Sequence, residues 1–256
     1  MTTQANRGGV ASLWLLNLVG NAAALAAWYF WLLVPDAHGW QVTGSVLAAL
    51  CVIALVAWLR AGTFAYFRLA EFRENGAVWR AFRHSLRHIL ALILWAIALG
   101  VVLWFFISLR RYPPQFGVWL WQKLPATLRF ATPRQLTRGA DWLLGLLVLV
   151  IVPALWLPVA TTIAASGFGT RAMHSWRVLK RAMYWLWFYV LIFVGVYIPY
   201  KLVWWVPSVS DLRKEAWSMG LRFFVAYVIL TTAWIALVWM TGVRAEREEE
   251  TVDLHG

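Results

Sequence analysis

The chain has 256 residues, 62% hydrophobic against 13% charged, with a mean hydropathy of +0.66. That balance excludes an ordinary soluble domain and leaves an all-α polytopic membrane protein, a bundle of about six transmembrane helices. The formal charge of +12 is uneven: a net of −3 on residues 244–256 leaves +15 elsewhere. These cations border apolar runs, which fits anionic phospholipid headgroups as partners and not nucleic acid.

Residues 1–10 are short and polar and carry Arg7. The apolar run 11–34 is too long for a signal-peptide core and reads as a retained first span. Within it Asn17 and Asn21 lie one helical turn apart, and amides in lipid are expected to bond to a neighbouring helix. Pro35-Asp36-Ala37-His38-Gly39 is a turn without Lys or Arg. The second span, 42–66, holds the single cysteine, Cys51, so an intramolecular disulfide and a thiol metal site are excluded. Arg60 falls near its end and is expected to snorkel to the surface along its own stem.

Residues 67–88 form a basic connection interrupted by Glu74-Asn75-Gly76, a helix stop and restart. The third span, 89–109, follows directly. Residues 110–141 contain Pro113, Pro114, Pro125 and Pro133. Their apolar stretch, 116–124 with Trp119 and Trp121, is too short to cross and is expected to form a structured interfacial cap. In that cap Leu124 and Leu128 meet the acyl boundary, and Lys123 and Arg129 the headgroups. The fourth span, 142–165, carries Pro153 and Pro158, whose missing hydrogen bonds Thr161 and Thr162 are placed to offset. Ser166-Gly167-Phe168-Gly169-Thr170 turns the chain. A fifth span, 182–206, a short link, 207–220, and a sixth span, 221–242, complete a single membrane domain over 1–243. Composition marks 244–256 as an acidic disordered tail.

A basic, Trp-led segment occurs twice, as Trp79-Arg80-Ala81-Phe82-Arg83 and Trp176-Arg177-Val178-Leu179-Lys180. At helical pitch Trp79, Phe82, Leu86 and Ile89 share one face, and Arg80, Arg83, His84 and Arg87 the other. The second copy sets Trp176, Leu179 and Met183 against Arg177, Lys180 and Arg181. Such helices are expected to lie in the membrane surface with their cations at lipid phosphates. Each segment joins two spans, giving a parallel repeat with copies at 42–109 and 142–206. The two basic loops then share one side, which the positive-inside rule makes cytoplasmic together with both termini. Twenty tryptophans, including Trp28, Trp40, Trp104 and Trp204 near span ends, suit interfacial anchoring.

All eleven carboxylates fall outside the predicted spans, which removes the paired intramembrane acid that a proton-coupled pump needs. There is no HExxH, no Cys/His ligand cluster and no G-x-S-x-G, so no catalytic residue, metal or cofactor is expected. His84 and His88 have ligand spacing, with His174 in the equivalent loop. They sit among arginines, where a solvated, phosphate-facing role is expected.

Trp79-Arg80, Leu157-Pro158 followed by Ser166-Gly167, and Trp176-Arg177 carry a resemblance. The chain resembles bacterial six-span membrane families with a repeated span pair, including the membrane domain attached to some glycerophosphodiester phosphodiesterases. It covers roughly residues 40–206 and implies a bacterial cytoplasmic (inner) membrane. The phosphodiesterase's soluble catalytic domain has no counterpart here, so no hydrolase activity carries over. The expected function is that of a non-enzymatic integral membrane protein, a scaffold, assembly or accessory subunit. It would act through anionic lipids, another membrane protein or a second copy of itself. The alternative is a transporter or channel for a small solute, with its site between the repeats.

Overall fold

The computed structural model describes residues 7–34, 38–109, 111–125, 132–169, 172, 174–205 and 211–253, the last ten by backbone alone. Arg110, Leu128, Arg129, the turn at 35–37 and the last three residues of the tail lie outside the described residues. Helices run over α1 (Arg7–Leu32), α2 (Gly39–Arg68), α3 (Ala70–Glu74), α4 (Val78–Ser85), α5 (Ile89–Leu109) and α6 (Pro113–Lys123). They continue through α7 (Pro133–Leu146), α8 (Val152–Ser166), α9 (Ala182–Ile192), α10 (Ile198–Trp204) and α11 (Leu212–Asp253). There is no strand among the described residues. Six helical stretches are long and apolar enough to cross a membrane: Arg7–Leu32, Gly39–Arg68, Val78–Leu109, Pro133–Ser166, Ala182–Trp204 and Leu212–Val243. The protein is an all-helical, multi-pass chain.

Three boundaries differ from expectation. The fourth helical stretch starts at Pro133, not 142, because Thr132 and Gln135 form a capping box that fixes the start there. The sixth starts at Leu212, inside the link expected over 207–220. At its other end the helix continues to Asp253, where a disordered tail is expected. Glu and Arg are strong helix formers, and here they extend a helix already nucleated.

The chain divides into two compact units, residues 1–93 with 158–256, and residues 94–157. In the first, α1 runs antiparallel to α2. Asn17 meets Thr63, Gly20 meets Leu59 and Asn21 meets Arg60, a fixed register. Helix α11 runs antiparallel to α1, with Trp14 Nε1 donating to Thr232 Oγ1 at 3.0 Å and the Tyr227 hydroxyl to the Leu18 carbonyl. It runs parallel to α2, with Phe64 on Trp234 and Gly242 against the Phe67 backbone. Small residues let these backbones close up: a Cβ at Gly195 would sit 2.7 Å from the Cβ of Ala233 on α11. Two buried arginines bond backbone carbonyls near the end of α2. Arg73 Nη1 donates to the Phe67 carbonyl at the end of α2 at 3.0 Å, favourable at a C-terminal carbonyl, and Arg68 Nη1 reaches across to the Gly242 carbonyl within α11 at 3.5 Å.

Both basic connections gather at one end of this unit. Gly9 abuts Gly76, His84 Nε2 donates to the Ala165 carbonyl at 2.8 Å, and Gly167 lies beside His88. Gly76 (φ 62°) and Gly167 (φ 78°) are both in the left-handed region, each ending a helix ahead of a basic segment.

In the second unit α6 packs on the start of α7, with Gly117 facing Thr137 and the Pro133 carbonyl. Trp95 and Trp156 exchange hydrogen bonds, each indole donating to the other's carbonyl at 3.4 and 3.3 Å. A π turn at Leu147–Ile151 leads into Pro153, and another at Phe193–Tyr197 leads into Pro199 at the same offset. The wider turn absorbs a ring that would clash with the carbonyl four residues back. Thr161 and Thr162 do something other than expected. Both donate to the Pro158 carbonyl, at 2.8 and 3.1 Å, and so satisfy their own buried hydroxyls.

A side chain at Gly62 would run into the Phe82 ring. Gly62→Val should push α4 off α2 and destabilise the protein by about 1–3 kcal/mol, read as a lowered Tm in detergent. Gly100→Ala, at a helical glycine with open space around it, should be neutral or raise stability by about 0.5–1 kcal/mol. Equal Tm values for the two variants would refute the packing account.

Candidate functional site

The first basic segment is an α-helix whose inward residues are Ala81, Phe82 and Ser85. Phe82 is fully buried in protein, edge-on to Trp58 at 5.4 Å, in the notch left by Gly62. It therefore does not sit in the acyl boundary as expected from the helical wheel. Trp79 stays exposed beside Trp58, with the Arg83 guanidinium 5.9 Å from its ring centre. Arg80, Arg83 and Arg87 are all exposed. Arg80 lies 3.7 Å from Glu71, and both are well over half exposed, so this pair contributes little.

The second segment departs from its counterpart. Ser175–Lys180 is a 3-10 helix, with Ser175 and Val178 buried. Three residues per turn align positions i and i+3, so Val178, not Leu179 or Met183, forms the inner face. Trp176, Arg177, Lys180, Arg181 and Met183 are exposed. The two segments thus reach one outcome by different windings: the small or apolar face is buried in the bundle and the cations stand outside it.

The intramembrane polar residues form a cluster that is more connected than the sequence indicates. Asn17 is fully buried, its amide donating to Thr63 Oγ1 at 2.9 Å and the Leu13 carbonyl at 3.0 Å. Thr63 Oγ1 lies 2.7 Å from the Leu59 carbonyl. One turn on, Arg60 does not snorkel. Its Nη2 donates to Asn21 Oδ1 at 3.2 Å and its guanidinium lies 4.7 Å from the centre of the Trp234 ring. Nη1 of Arg60 and Nε1 of Trp234 are buried with no hydrogen-bond partner among the described residues. These groups border a cavity of about 310 Å³ between α1, α2 and α11, also lined by Ala24, Leu25, Trp28, Val52, Val56, Tyr227, Leu230 and Thr231.

The side chains sequence reasoning passed over are Trp234, Arg68 and Arg73. The signal for Arg60 and Trp234 was present only as a cation in a span and an abundance of Trp, neither of which names a partner. The histidine pair is used in packing: the rings of His84 and His88 are 5.7 Å apart, and His84 is held by the Ala165 carbonyl. Among the described residues no group of three His, Cys, Asp or Glu is placed to share a metal ion. No family model, no curated protein and no solved structure matches this chain.

Asn17 and Thr63 should be energetically coupled. A double-mutant cycle with Asn17→Ala and Thr63→Ala, measured by unfolding in mixed micelles, should return a coupling of about 0.6–1.7 kcal/mol. A value near zero would mean each side chain finds another partner when the first is removed.

Proposed function

We propose that this chain is a non-enzymatic integral membrane protein that acts through anionic phospholipids, as a scaffold, assembly or accessory subunit. The observation that carries this reading is the state of the two basic segments. Arg80, Arg83, Arg87, Arg177, Lys180 and Arg181 are exposed, while the inner faces of their segments are buried. Exposed Trp79 and Trp176 beside them suit the headgroup level, with the ring in the acyl boundary and the N–H wet. Each such cation near an anionic leaflet contributes about 1 kcal/mol, so the array as a whole favours that leaflet strongly.

The same reading makes the two segments equivalent parts of a parallel repeat, a view supported by the positive-φ glycines Gly76 and Gly167 ahead of each. It makes the end carrying both segments and Gly9 cytoplasmic, by the positive-inside rule, with the C-terminus on the same side. Helix α6 and the start of α7 then cap the outer face. The resemblance to bacterial six-span families belongs to this proposal and puts the chain in an inner membrane. The rival reading, a transporter or channel for a small solute with its site between the repeats, draws on the prolines Pro153 and Pro158 and the Asn17 and Asn21 amides. The polar-rimmed cavity at Arg60 lies elsewhere, between α1, α2 and α11.

Native mass spectrometry tests the lipid reading. The wild-type protein should retain cardiolipin and phosphatidylglycerol. The Arg80→Gln, Arg83→Gln, Arg177→Gln, Lys180→Gln variant should bind them at least about tenfold more weakly. Phosphatidylethanolamine binding should not change. Equal retention of anionic lipid by the two proteins would sink the proposal.

A further inference from the structure

The cavity between α1, α2 and α11 has a direction. Helix α1 is antiparallel to the other two, so ascending numbers in α1 and descending numbers in α2 and α11 lead the same way, away from the basic end. At the near level stand Asn21, Arg60 and Trp234. Seven or eight residues further, about 10–12 Å at 1.5 Å per residue, the lining reaches Trp28 on α1 and Val52 on α2. The slot is cationic at one end and mostly apolar along its length. Leu25, Trp28 and Leu230 are exposed on the outer surface, so the slot opens sideways.

The polar end has donors in excess of acceptors. Arg60 has Asn21 Oδ1 and the Trp234 face, and its Nη1 and the Trp234 Nε1 have no hydrogen-bond partner among the described residues. Among the described residues no carboxylate lies within ion-pair distance of Arg60. An uncompensated guanidinium in apolar surroundings is costly, and the group that answers it best is an oxyanion, which the planar fork accepts through two N–H bonds. A small hydrated anion would leave the apolar walls unused. An uncharged alkyl chain would leave Arg60 unanswered.

We propose that this slot binds a single-chain anionic amphiphile, an alkyl chain ending in an oxyanion, with its head on Arg60 and Trp234 Nε1 and its chain along Val56 and Val52. The site is separate from the surface cations and does not depend on the lipid reading of those segments. The head is a fatty carboxylate or a lysophospholipid-type phosphate, which share this chemistry.

The test uses purified protein in a nonionic detergent, with decyl phosphate and decanoate as probes and decanol and inorganic phosphate as controls. Adducts are read by native mass spectrometry and affinity by the shift in Tm. The two anionic amphiphiles should each give a one-to-one adduct and raise Tm, and the tighter of the two identifies the head group. Arg60→Gln should weaken binding by about tenfold or more. Val56→Trp leaves Arg60 in place, fills the slot and should abolish binding, which keeps the test decisive if Arg60→Gln does not fold. The four-cation surface variant should bind the probes as wild type does, so the two proposals fail separately. Decanol or inorganic phosphate binding as well as decyl phosphate, no adduct with either probe, or unchanged binding in Val56→Trp would overturn the assignment.

Discussion

Inside a hydrocarbon layer no water takes over an amide or hydroxyl that loses its partner, so the polar side chains facing into the bundle must find one another. In this protein the pair that does so is Asn17 and Thr63, both fully buried and 2.9 Å apart. Apolar contacts between α1 and α2 would tolerate several registers, because leucine against leucine is much the same one turn along. The amide-to-hydroxyl bond is not so tolerant. Once Asn17 faces Thr63, Gly20 must face Leu59 and Gly9 must come up to Gly76, and both positions are glycine because a Cβ there would collide. The register of the first two helices is therefore set by one polar pair and made possible by two absent side chains.

That register also decides what happens to Arg60. A free-standing second span with an arginine eight residues from its end would let the side chain climb to the surface. Eight residues are about 12 Å of helix, and the end itself is occupied by Arg68, buried against Gly242. With Asn21 delivered one turn beyond Asn17, the guanidinium has an acceptor at its own level and an aromatic face from α11. The local partners prevail over snorkelling because they are already paid for by helix packing. The result is a cation kept in the apolar part of the molecule with no acid beside it among the described residues.

Spans and basic segments were legible in the sequence because they rest on run length and charge. What the residues could not say is whether an apolar face meets lipid or protein, since the two are equally apolar. Phe82 reads as a membrane-facing ring on any helical wheel; the absence of a side chain at Gly62, twenty positions earlier, turns it inward. The second segment carries a similar pattern but winds as a 3-10 helix, so its inner face moves from Leu179 to Val178. The π turns ahead of Pro153 and Pro199 were invisible for a related reason. A proline announces that an α-helical bond is missing but not which neighbouring turn will widen to accommodate it.

The two basic segments show how little of a surface array depends on identical backbone. In α4 Arg80 and Arg83 climb by about 1.5 Å per residue and sweep to one side, and Arg87 follows in a short 3-10 turn at Leu86–His88. In the 3-10 helix Arg177 and Lys180 are separated by a full turn and stand in line, about 6 Å apart along the axis. Burial is what both windings hold in common: Ala81, Phe82 and Ser85 in one, Ser175 and Val178 in the other. Ala81, Ser85 and Ser175 are small enough to let each segment press against the bundle, and Phe82 fits the notch at Gly62. The cations are displayed by default, as the residues left over when the inner face has been chosen. A change on the inner face would therefore rearrange the charges outside it, whereas exchanging one exposed cation for another would leave the segment's winding alone.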